Sequence, residues 1–303
     1  MWIEDSLTDP KKLAEVFYAG MGFMMCRKGA FEKVTYPWFE PAMHEIEISK
    51  DFSSEDVSLC WKWKDAGVKV FKVKNENNMM IHMLRFLHIY NFLKLYGHEY
   101  RYVITTDVRD VIFQTNPSDY VQNVFGSRST GIMAQSEAIK IKDEAWNRDN
   151  IIKNFGQYFF VDVMENEVYN VGILAGTTEY IKDLCFHLYQ LSSNRPDWVA
   201  DQAAYNIMLN MLPYNDGSYT HFSQLSDGWT CNLHVTNKPD QLEEFGPHLL
   251  EPRPVFKDGQ VVTGATGQPY VIVHQYDRVP EWKEYFYNKY GVEDESQYFT
   301  YKI

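Results

Sequence analysis

Two aspartates and an arginine stand close together in the stretch TTDVRDVIFQTNP, residues 105–117. Asp107 and Asp110 repel each other unless a cation neutralises them, and hard divalent ions prefer oxygen ligands. Arg109, between the two acids, could neutralise one of them or hold a phosphate through paired hydrogen bonds. The stretch therefore predicts either a metal and phosphate site or a salt-bridged turn.

His274 is a third candidate ligand because it directly follows the apolar run YVIV. A histidine at the end of a buried strand would reach the same edge of a sheet as the two aspartates. An imidazole nitrogen together with two carboxylates suits Mn²⁺ better than an ion that takes oxygen ligands alone. The alternative interpretation is a structural histidine held by hydrogen bonds.

Two further pairs of residues have the chemistry to contact a ligand. Asn170 and Gly172, in YNVGILAG, offer an amide side chain and an open backbone. Asp201 and Gln202 begin a helix expected over residues 200–211, where a carboxylate either complements the helix dipole or points into a cleft. Each pair also has a plain structural explanation, a strand-end turn for the first and helix capping for the second.

Glu55 and Asp56 are paired acids near the start of the helix predicted in SSEDVSLCWKWKDAG. Either could supply a general base. Negative charge is also favoured at a helix start, so without further context helix capping is the safer interpretation of the pair.

The elements expected to position these residues alternate between helices and buried strands. Apolar residues recur with helical spacing from residue 80 to residue 87, in a helix expected to end at Gly97. The β-branched and aromatic run YRYVITT indicates a strand that delivers Asp107 to its carboxyl end. EVYNVGILAG and PYVIVHQYDR predict later strands. The pattern favours an α/β fold with a mixed, largely parallel sheet flanked by helices, whose ligands lie outside the carboxyl ends of strands.

The polar run NENN, residues 75–78, is the best internal boundary and divides the chain into segments 1–75 and 76–303. The segments are either a fusion of two remnants or one continuous domain. VKVFKVK, residues 68–74, alternates as a strand should and leads straight into the helix near residue 80. The seamless pattern favours a first segment that completes the sheet of the second.

Composition narrows the classes of function. A chain of 303 residues with 41 acidic and 29 basic side chains has a formal net charge of −12, which disfavours nucleic acids and anionic membranes as partners. The four cysteines form no C-x-x-C motif. No stretch approaches the roughly 18 apolar residues that span a bilayer. We expect a soluble, cytoplasmic protein.

The order of these features along the chain resembles nucleotide-sugar glycosyltransferases of the GT-A fold. An acidic strand-end motif, an N-x-G after a strand, a D-Q at a helix start and a late histidine occur in that order. The resemblance implies that Asp107, Asp110 and His274 bind Mn²⁺ or Mg²⁺, which bridges the donor diphosphate. The two acids are three residues apart, whereas the usual motif of the family spaces them by two.

The same resemblance assigns the other residues to the nucleotide sugar. Arg109 would help to hold the donor diphosphate. Asn170 and Gly172 would contact a sugar, and Asp201 with Gln202 would lie near the transferred sugar.

Residues 13–70 separately resemble the acceptor half of family 2-type inverting glycosyltransferases. The motifs are AGMGFMMCRKGAFEKV, YPWF and SEDVSLCWKWKDAGVKV. In that resemblance Glu55 and Asp56 supply the catalytic base. Both resemblances imply a GT-A-like fold that lacks the usual first nucleotide-binding strand.

The expected function is metal-dependent transfer of a sugar from a nucleotide-diphosphate donor to a hydroxyl group of a glycan or glycoconjugate. If the reaction inverts configuration, Asp56 or Asp201 would take the acceptor proton. If it retains configuration, Asp201 or Gln202 would lie beside the anomeric carbon. The alternative is a degenerate, non-catalytic module that binds a sugar or nucleotide. A phosphatase with an aspartate nucleophile is disfavoured, since its two acids would be two residues apart.

Overall fold

The computed structural model describes residues 13–16, 33, 42–46, 49–53, 62, 65–66, 70–73, 81–107, 109–126, 131–193, 195–196 and 199–290. The chain divides into two compact units, Met1–Glu76 with Pro280–Ile303, and Asn77–Val279. Residues 280–303, which the sequence placed in the 76–303 segment, thus group with the first unit. Every described candidate site residue belongs to the second unit.

The first unit contains short antiparallel strand pairs in its described part. β1 (Leu13–Val16) pairs with β4 (Val70–Val73), and β2 (Ala42–Ile46) pairs with β3 (Ser49–Ser53). Each pair forms a two-stranded sheet of its own. Within the segment 68–74, which was expected to complete the larger sheet, the described strand β4 pairs with β1 rather than with a described strand of that sheet.

The second unit alternates helices and strands in its first half and has short elements in its second half. Its strands are β5 (Tyr102–Thr106), β6 (Val111–Phe113), β7 (Ile132–Lys140), β8 (Glu167–Thr177), β9 (Thr220–Ser223), β10 (Thr230–Asn232), β11 (Val255–Lys257), β12 (Gln260–Val262) and β13 (Ile272–His274). Its helices are α1 (Ile81–Tyr96), α2 (Pro117–Phe125), α3 (Ala145–Phe155), α4 (Gln157–Val163), α5 (Thr178–Ser192), α6 (Asp201–Met208), α7 (Leu233–Asn237) and α8 (Leu242–Phe245), and α9 (Pro280–Tyr290) lies in the first unit.

Local sequence signals explain several element boundaries. Asn116 caps α2 by accepting a hydrogen bond from the Ser118 N–H, and Pro117 occupies the first helical position, where its missing N–H costs nothing. Glu144 caps α3 in the same way through the N–H groups of Trp146 and Asn147. Capping therefore sets where the helices on either side of β7 begin.

The main sheet has the strand order β5-β8-β7-β9. β8 runs antiparallel to both of its neighbours, β5 and β7, whereas β9 runs parallel to β7. The prediction of a mixed sheet in an α/β fold is confirmed. The prediction of a largely parallel sheet is wrong for the described strands, because apolar runs indicate burial but carry no information on strand direction.

A second sheet of three strands carries the late histidine. Its order is β10-β13-β6, with β10 parallel and β6 antiparallel to β13. His274 at the end of β13 pairs with Asn232 of β10 on one side and with Val111 of β6 on the other. This register places His274 beside the residue that precedes β6, which is Asp110.

The core of the second unit joins these two sheets through α2. One buried cluster takes residues from α2, β7, β8, the segment before β10, and β13: Val121, Phe125, Met133, Ile173, Ala175, Trp229, Val271 and Ile272. The polar residues discussed below therefore project from strands that are held by packing.

Helix α1 is buried on more than one side. Met83, Leu84, Phe86 and Leu87 are all buried, and so is the charged residue Arg85. A helix that is enclosed in this way packs on several neighbours rather than presenting one polar face to water.

Among the described helices, none combines the length and the apolar character needed to cross a membrane.

Candidate metal centre

Asp107, Asp110 and His274 converge from three chain segments. Asp107 follows β5, Asp110 precedes β6 and His274 ends β13. One ligand atom from each residue lies within 4.8 Å of the other two. His274 Nε2 is 3.5 Å from Asp107 Oδ2 and 3.7 Å from Asp110 Oδ1. Ligand atoms on one ion, with bonds of about 2.1 Å, are separated by roughly 3 Å, so a small closure of the cluster gives a coordination site.

The backbone fixes these segments independently of any ion. The Asp107 N–H donates to the Gly172 carbonyl at 2.8 Å, and the Gln275 N–H donates to the Asp110 carbonyl at 2.6 Å. Gln275 has a φ of 60°, in the left-handed region that non-glycine residues seldom adopt. Strain of this kind is kept where the surrounding structure needs one geometry, and here it follows the candidate ligand His274 directly.

His274 is oriented by a neighbour on β10. Its Nδ1 lies 2.7 Å from Asn232 Oδ1, which is an acceptor, so Nδ1 carries the hydrogen and Nε2 faces the two aspartates. Nε2 is buried and makes no hydrogen bond of ordinary geometry. A second partner that holds the far nitrogen is the usual arrangement of a metal-binding histidine.

The charges of the cluster are incompletely balanced. Burial raises the pKa of Asp107, but His274 and Arg85 outweigh it and lower that pKa to about 2. Burial raises the pKa of Asp110, and the charges of Asp107 and Asp277 add to this effect. A carboxylate with a raised pKa beside a buried histidine nitrogen fits a divalent cation, which would bind both groups and add positive charge next to Asp110.

His274 has the complementary shift. Burial lowers its pKa, but the facing carboxylate of Asp107 and the charges of Asp110 and Glu137 outweigh burial, so the pKa is raised. In the absence of an ion the imidazole therefore tends to hold a proton between the two acids. Metal ligation requires the neutral ring, so an ion would displace that proton.

Gly172 lies against the cluster from the middle of β8. A Cβ atom on this residue would stand 2.7 Å from Asp107 Oδ2, 2.7 Å from His274 Cε1 and 2.8 Å from Asn170 Oδ1. Real Cβ atoms do not make contacts this short. Gly172 is thus required for the close approach of the two candidate ligands. It lies mid-strand, because antiparallel pairing sets the carboxyl end of β5 against the centre of β8.

Arg85 links the cluster to the start of α6. Its guanidinium donates to Asp107 Oδ1 at 2.7 Å and to Asp201 Oδ2 at 2.8 Å. Asp107 therefore turns one oxygen to Arg85 and the other toward His274. Sequence reasoning missed Arg85, whose only signal is a charge inside the apolar run MLRFL.

Asp201 does not cap α6. Ala200 is the N-cap residue, and no side chain makes a capping hydrogen bond there. Asp201 is 2% exposed, and its second oxygen, Oδ1, has no hydrogen-bond partner. Pairing with Arg85 and an unpartnered oxygen support the reading that it points into the site.

Asn170 and Gln202 both donate hydrogen bonds to Glu137, a buried acid that the sequence analysis did not single out. Glu137 Oε1 accepts hydrogen bonds from Asn170 Nδ2 at 2.6 Å and from Gln202 Nε2 at 3.4 Å. Burial raises the pKa of Glu137, Asn170 and Gln202 partly offset it, and the result is a pKa of about 7. The sequence signal was the acid itself, within the otherwise buried strand IMAQSEAI.

Arg109 does not pair with the acids beside it in the chain. Its side chain is 67% exposed, and Nη2 lies 3.8 Å from Asp277 Oδ2. Asp277 also accepts from Arg278 at 2.8 Å, and Arg278 Nη2 lies 3.9 Å from Asp110 Oδ2. Of the salt-bridged alternative, pairing of Arg109 with Asp107 or Asp110 is not among the described contacts, whereas Arg85 pairs with Asp107 and Arg278 lies near Asp110. Instead Arg109 and Arg278 share one carboxylate next to the cluster.

Glu55 and Asp56 lie outside the described residues. Their proposed role as a catalytic base stays a prediction.

The fold and the site define a mixed α/β protein with a candidate divalent-metal centre between two sheets. Comparison with protein-family models gives no match, and comparison with curated proteins gives none either. Its function is therefore argued from the geometry of the centre.

Proposed function

We propose that this protein is a metal-dependent glycosyltransferase that moves a sugar from a nucleotide-diphosphate donor to a hydroxyl acceptor. One observation carries the proposal. Asp107, Asp110 and His274 form a candidate metal centre that borders an arginine pair on one side and buried amides and acids on the other. A nucleotide-diphosphate sugar needs all three: a cation, further positive charge for its phosphates, and polar groups for its sugar.

Asp107, Asp110 and His274 would hold Mn²⁺ or Mg²⁺. The bound ion would act as a Lewis acid that stabilises the leaving diphosphate. One imidazole among oxygen ligands supports Mn²⁺ as the preferred ion.

The arginine pair is the proposed phosphate side of the site. Arg109 is exposed, and Arg278 is a third exposed, so both can turn to a ligand. Two cationic side chains next to the cluster, in a chain of net charge −12, support binding of an anion there.

Asp201, Asn170 and Gln202 form the proposed sugar side. Asp201 Oδ2 is held by Arg85, which leaves Oδ1 to accept a hydrogen bond from a sugar hydroxyl. That carboxylate is already engaged by the buried guanidinium of Arg85. The geometry thus favours binding by Asp201 over its action as a general base.

The test is a screen of nucleotide sugars by thermal shift, with and without Mn²⁺, followed by a transfer or hydrolysis assay on any hit. A ligand that binds the native state raises the melting temperature by mass action. We expect a metal-dependent shift with one donor and release of its nucleoside diphosphate. Binding without turnover would instead support the non-catalytic module.

Asp110→Asn is the informative variant, since Asp107 also pairs with Arg85 and its loss would disturb the fold. The exposed pair of Arg148 and Asp149 supplies a matched control, Asp149→Asn. We expect Asp110→Asn to abolish both the Mn²⁺ dependence and turnover, and Asp149→Asn to retain both. Equal behaviour of the two variants would refute the proposed centre.

A further inference from the structure

Glu137 holds two amide side chains by the same oxygen. Asn170 Nδ2 donates to Glu137 Oε1 at 2.6 Å, and Gln202 Nε2 donates to it at 3.4 Å. Glu137 is buried, which strengthens these bonds relative to bonds in water. The nitrogen ends of both amides are thus turned toward one acceptor.

The oxygen ends of the same amides are fixed by the backbone of β8. Asn170 Oδ1 accepts from the Gly172 N–H at 2.8 Å, and Gln202 Oε1 accepts from the Val171 N–H at 3.1 Å. A primary amide has two N–H donors, and Glu137 takes one from each residue. Each amide is therefore locked at both ends and keeps one N–H for another acceptor.

This pair of amides borders the candidate metal centre. Asn170 Oδ1, Asp107 Oδ2 and His274 Cε1 all lie within 2.8 Å of the position that a Cβ of Gly172 would take. The amide of Asn170 is consequently held near two candidate ligands. Gln202 directly follows Asp201, whose buried Oδ1 has no hydrogen-bond partner.

The strand that carries Glu137 is distorted where the residue stands. The pairing of β7 with β8 shifts register between Ser136 and Lys140. Ala138, directly after Glu137, has a φ of 55°, and its N–H is taken by Ser136 Oγ at 2.8 Å. Bulges re-aim a side chain, and strained backbone persists where one geometry is required.

From these contacts we infer that Glu137 is a positioning residue, which presents the free N–H groups of Asn170 and Gln202 to a hydroxyl oxygen of the transferred sugar. The inference rests on the proposed function. Glu137 itself does not touch the substrate. Its effect on affinity falls on recognition of the sugar rather than of the diphosphate.

The experiment compares Glu137→Met, which removes the acceptor at similar size, with Glu137→Gln, whose carbonyl oxygen can still accept both amides. Isothermal titration calorimetry in Mn²⁺ measures the affinity of each protein for UDP-glucose, UDP-galactose, UDP-N-acetylglucosamine and GDP-mannose. UDP and GDP serve as the probes that lack the sugar.

We expect Glu137→Met to weaken the best-bound nucleotide sugar about tenfold, the cost of a misdirected hydrogen bond, with no change for the matching diphosphate. Glu137→Gln should stay within about threefold of the unmodified protein for both ligands. In a double-mutant cycle, Asn170→Ala should add little to Glu137→Met, because Glu137 acts through Asn170.

Equal affinity of Glu137→Met and the unmodified protein for the nucleotide sugar would overturn the inference. Equal losses for the nucleotide sugar and its diphosphate would also overturn it, since that pattern indicates a merely structural role. Failure of the unmodified protein to bind any of the diphosphates or nucleotide sugars would refute the proposed function itself, and the inference with it.

Discussion

Replacing Gly172 with alanine tests the metal centre without removing a ligand. The added Cβ would stand 2.7 Å from both Asp107 Oδ2 and His274 Cε1, where ordinary contacts begin at 3.4 Å. The two side chains must then separate from the strand by about 0.7 Å, while ligand distances in metal sites are kept within about 0.2 Å. We therefore expect Gly172→Ala to weaken Mn²⁺ binding by at least about tenfold, the range seen when residues that support metal ligands are changed.

Calorimetric titration with Mn²⁺ measures this loss, and thermal unfolding shows whether the variant is folded. Gly172 is not among the residues with a positive φ, so alanine adds no backbone strain there. Gly246→Ala is the matched control, since a Cβ at that position meets nothing within 4 Å and the residue has a φ of −51°.

A folded Gly172→Ala protein with unchanged Mn²⁺ affinity would refute the reasoning, because the ion could not then lie between Asp107 and His274. Loss of Mn²⁺ binding in both alanine variants would also count against it, since the control leaves the centre untouched.

Three further predictions follow from the charges around the site. Glu137 has a pKa of about 7 in the folded protein against 4.5 for the free side chain, so its contribution to stability is complete below pH 4.5 and is lost as the pH rises through 7. Urea unfolding should show that Glu137→Gln removes about 3 kcal/mol of this pH dependence. Parallel plots of unfolding free energy against pH for the variant and the unmodified protein would contradict the prediction. Arg85→Met leaves the two aspartates that Arg85 bridges without a cation, so it should lower the free energy of unfolding by about 3 kcal/mol in the same assay. A loss smaller than that of the exposed control Arg148→Met would oppose this prediction. Arg109→Gln should weaken binding of UDP or GDP about tenfold by calorimetry, whereas Mn²⁺ affinity should not fall; an unchanged affinity for both nucleotides would exclude Arg109 from the phosphate side.

The elements with strong local signals were predicted well from the sequence. The helix expected to end at Gly97 is α1, and YRYVITT and EVYNVGILAG are the strands β5 and β8. Helical spacing, β-branched residues and glycine act within a few residues, so they can be read locally. The helix expected over residues 200–211 is shorter, Asp201–Met208, because an apolar face continues into the following turn without extending the helix.

Strand direction and sheet membership could not be obtained in the same way. The antiparallel pairing of β8 with β5 and β7 depends on contacts between segments far apart in the chain. The pairing of β4 with β1 is equally non-local. Apolar patterning reports only which residues are buried, so it is consistent with several topologies.

The residues of the candidate site differ in the same way, since some have a local signal in the sequence and others do not. Asp107, Asp110 and His274 were found because each follows or precedes a recognisable strand. Arg85 was missed because it stands alone in an apolar run, and Glu137 because it follows the polar residues Gln135 and Ser136 in a segment with no recognisable motif. Arg85 meets Asp201 across 116 residues of sequence, and Glu137 meets Gln202 across 65. Partners that distant become visible only when the fold brings them together.

The antiparallel register is what gathers the site, although the sequence argument relied on parallel strand ends. Thr106 pairs with Ile173, so Asp107 falls opposite Gly172, and positions 170 and 172 lie on the same face of β8. A slip of one residue would turn that face to the other side of the sheet and separate Asn170 from Asp107. The hydrogen bond from the Asp107 N–H to the Gly172 carbonyl therefore couples the pairing of β5 and β8 to the geometry of the candidate centre. Any change that shifts this register should disturb ion binding and the placement of the Asn170 amide together.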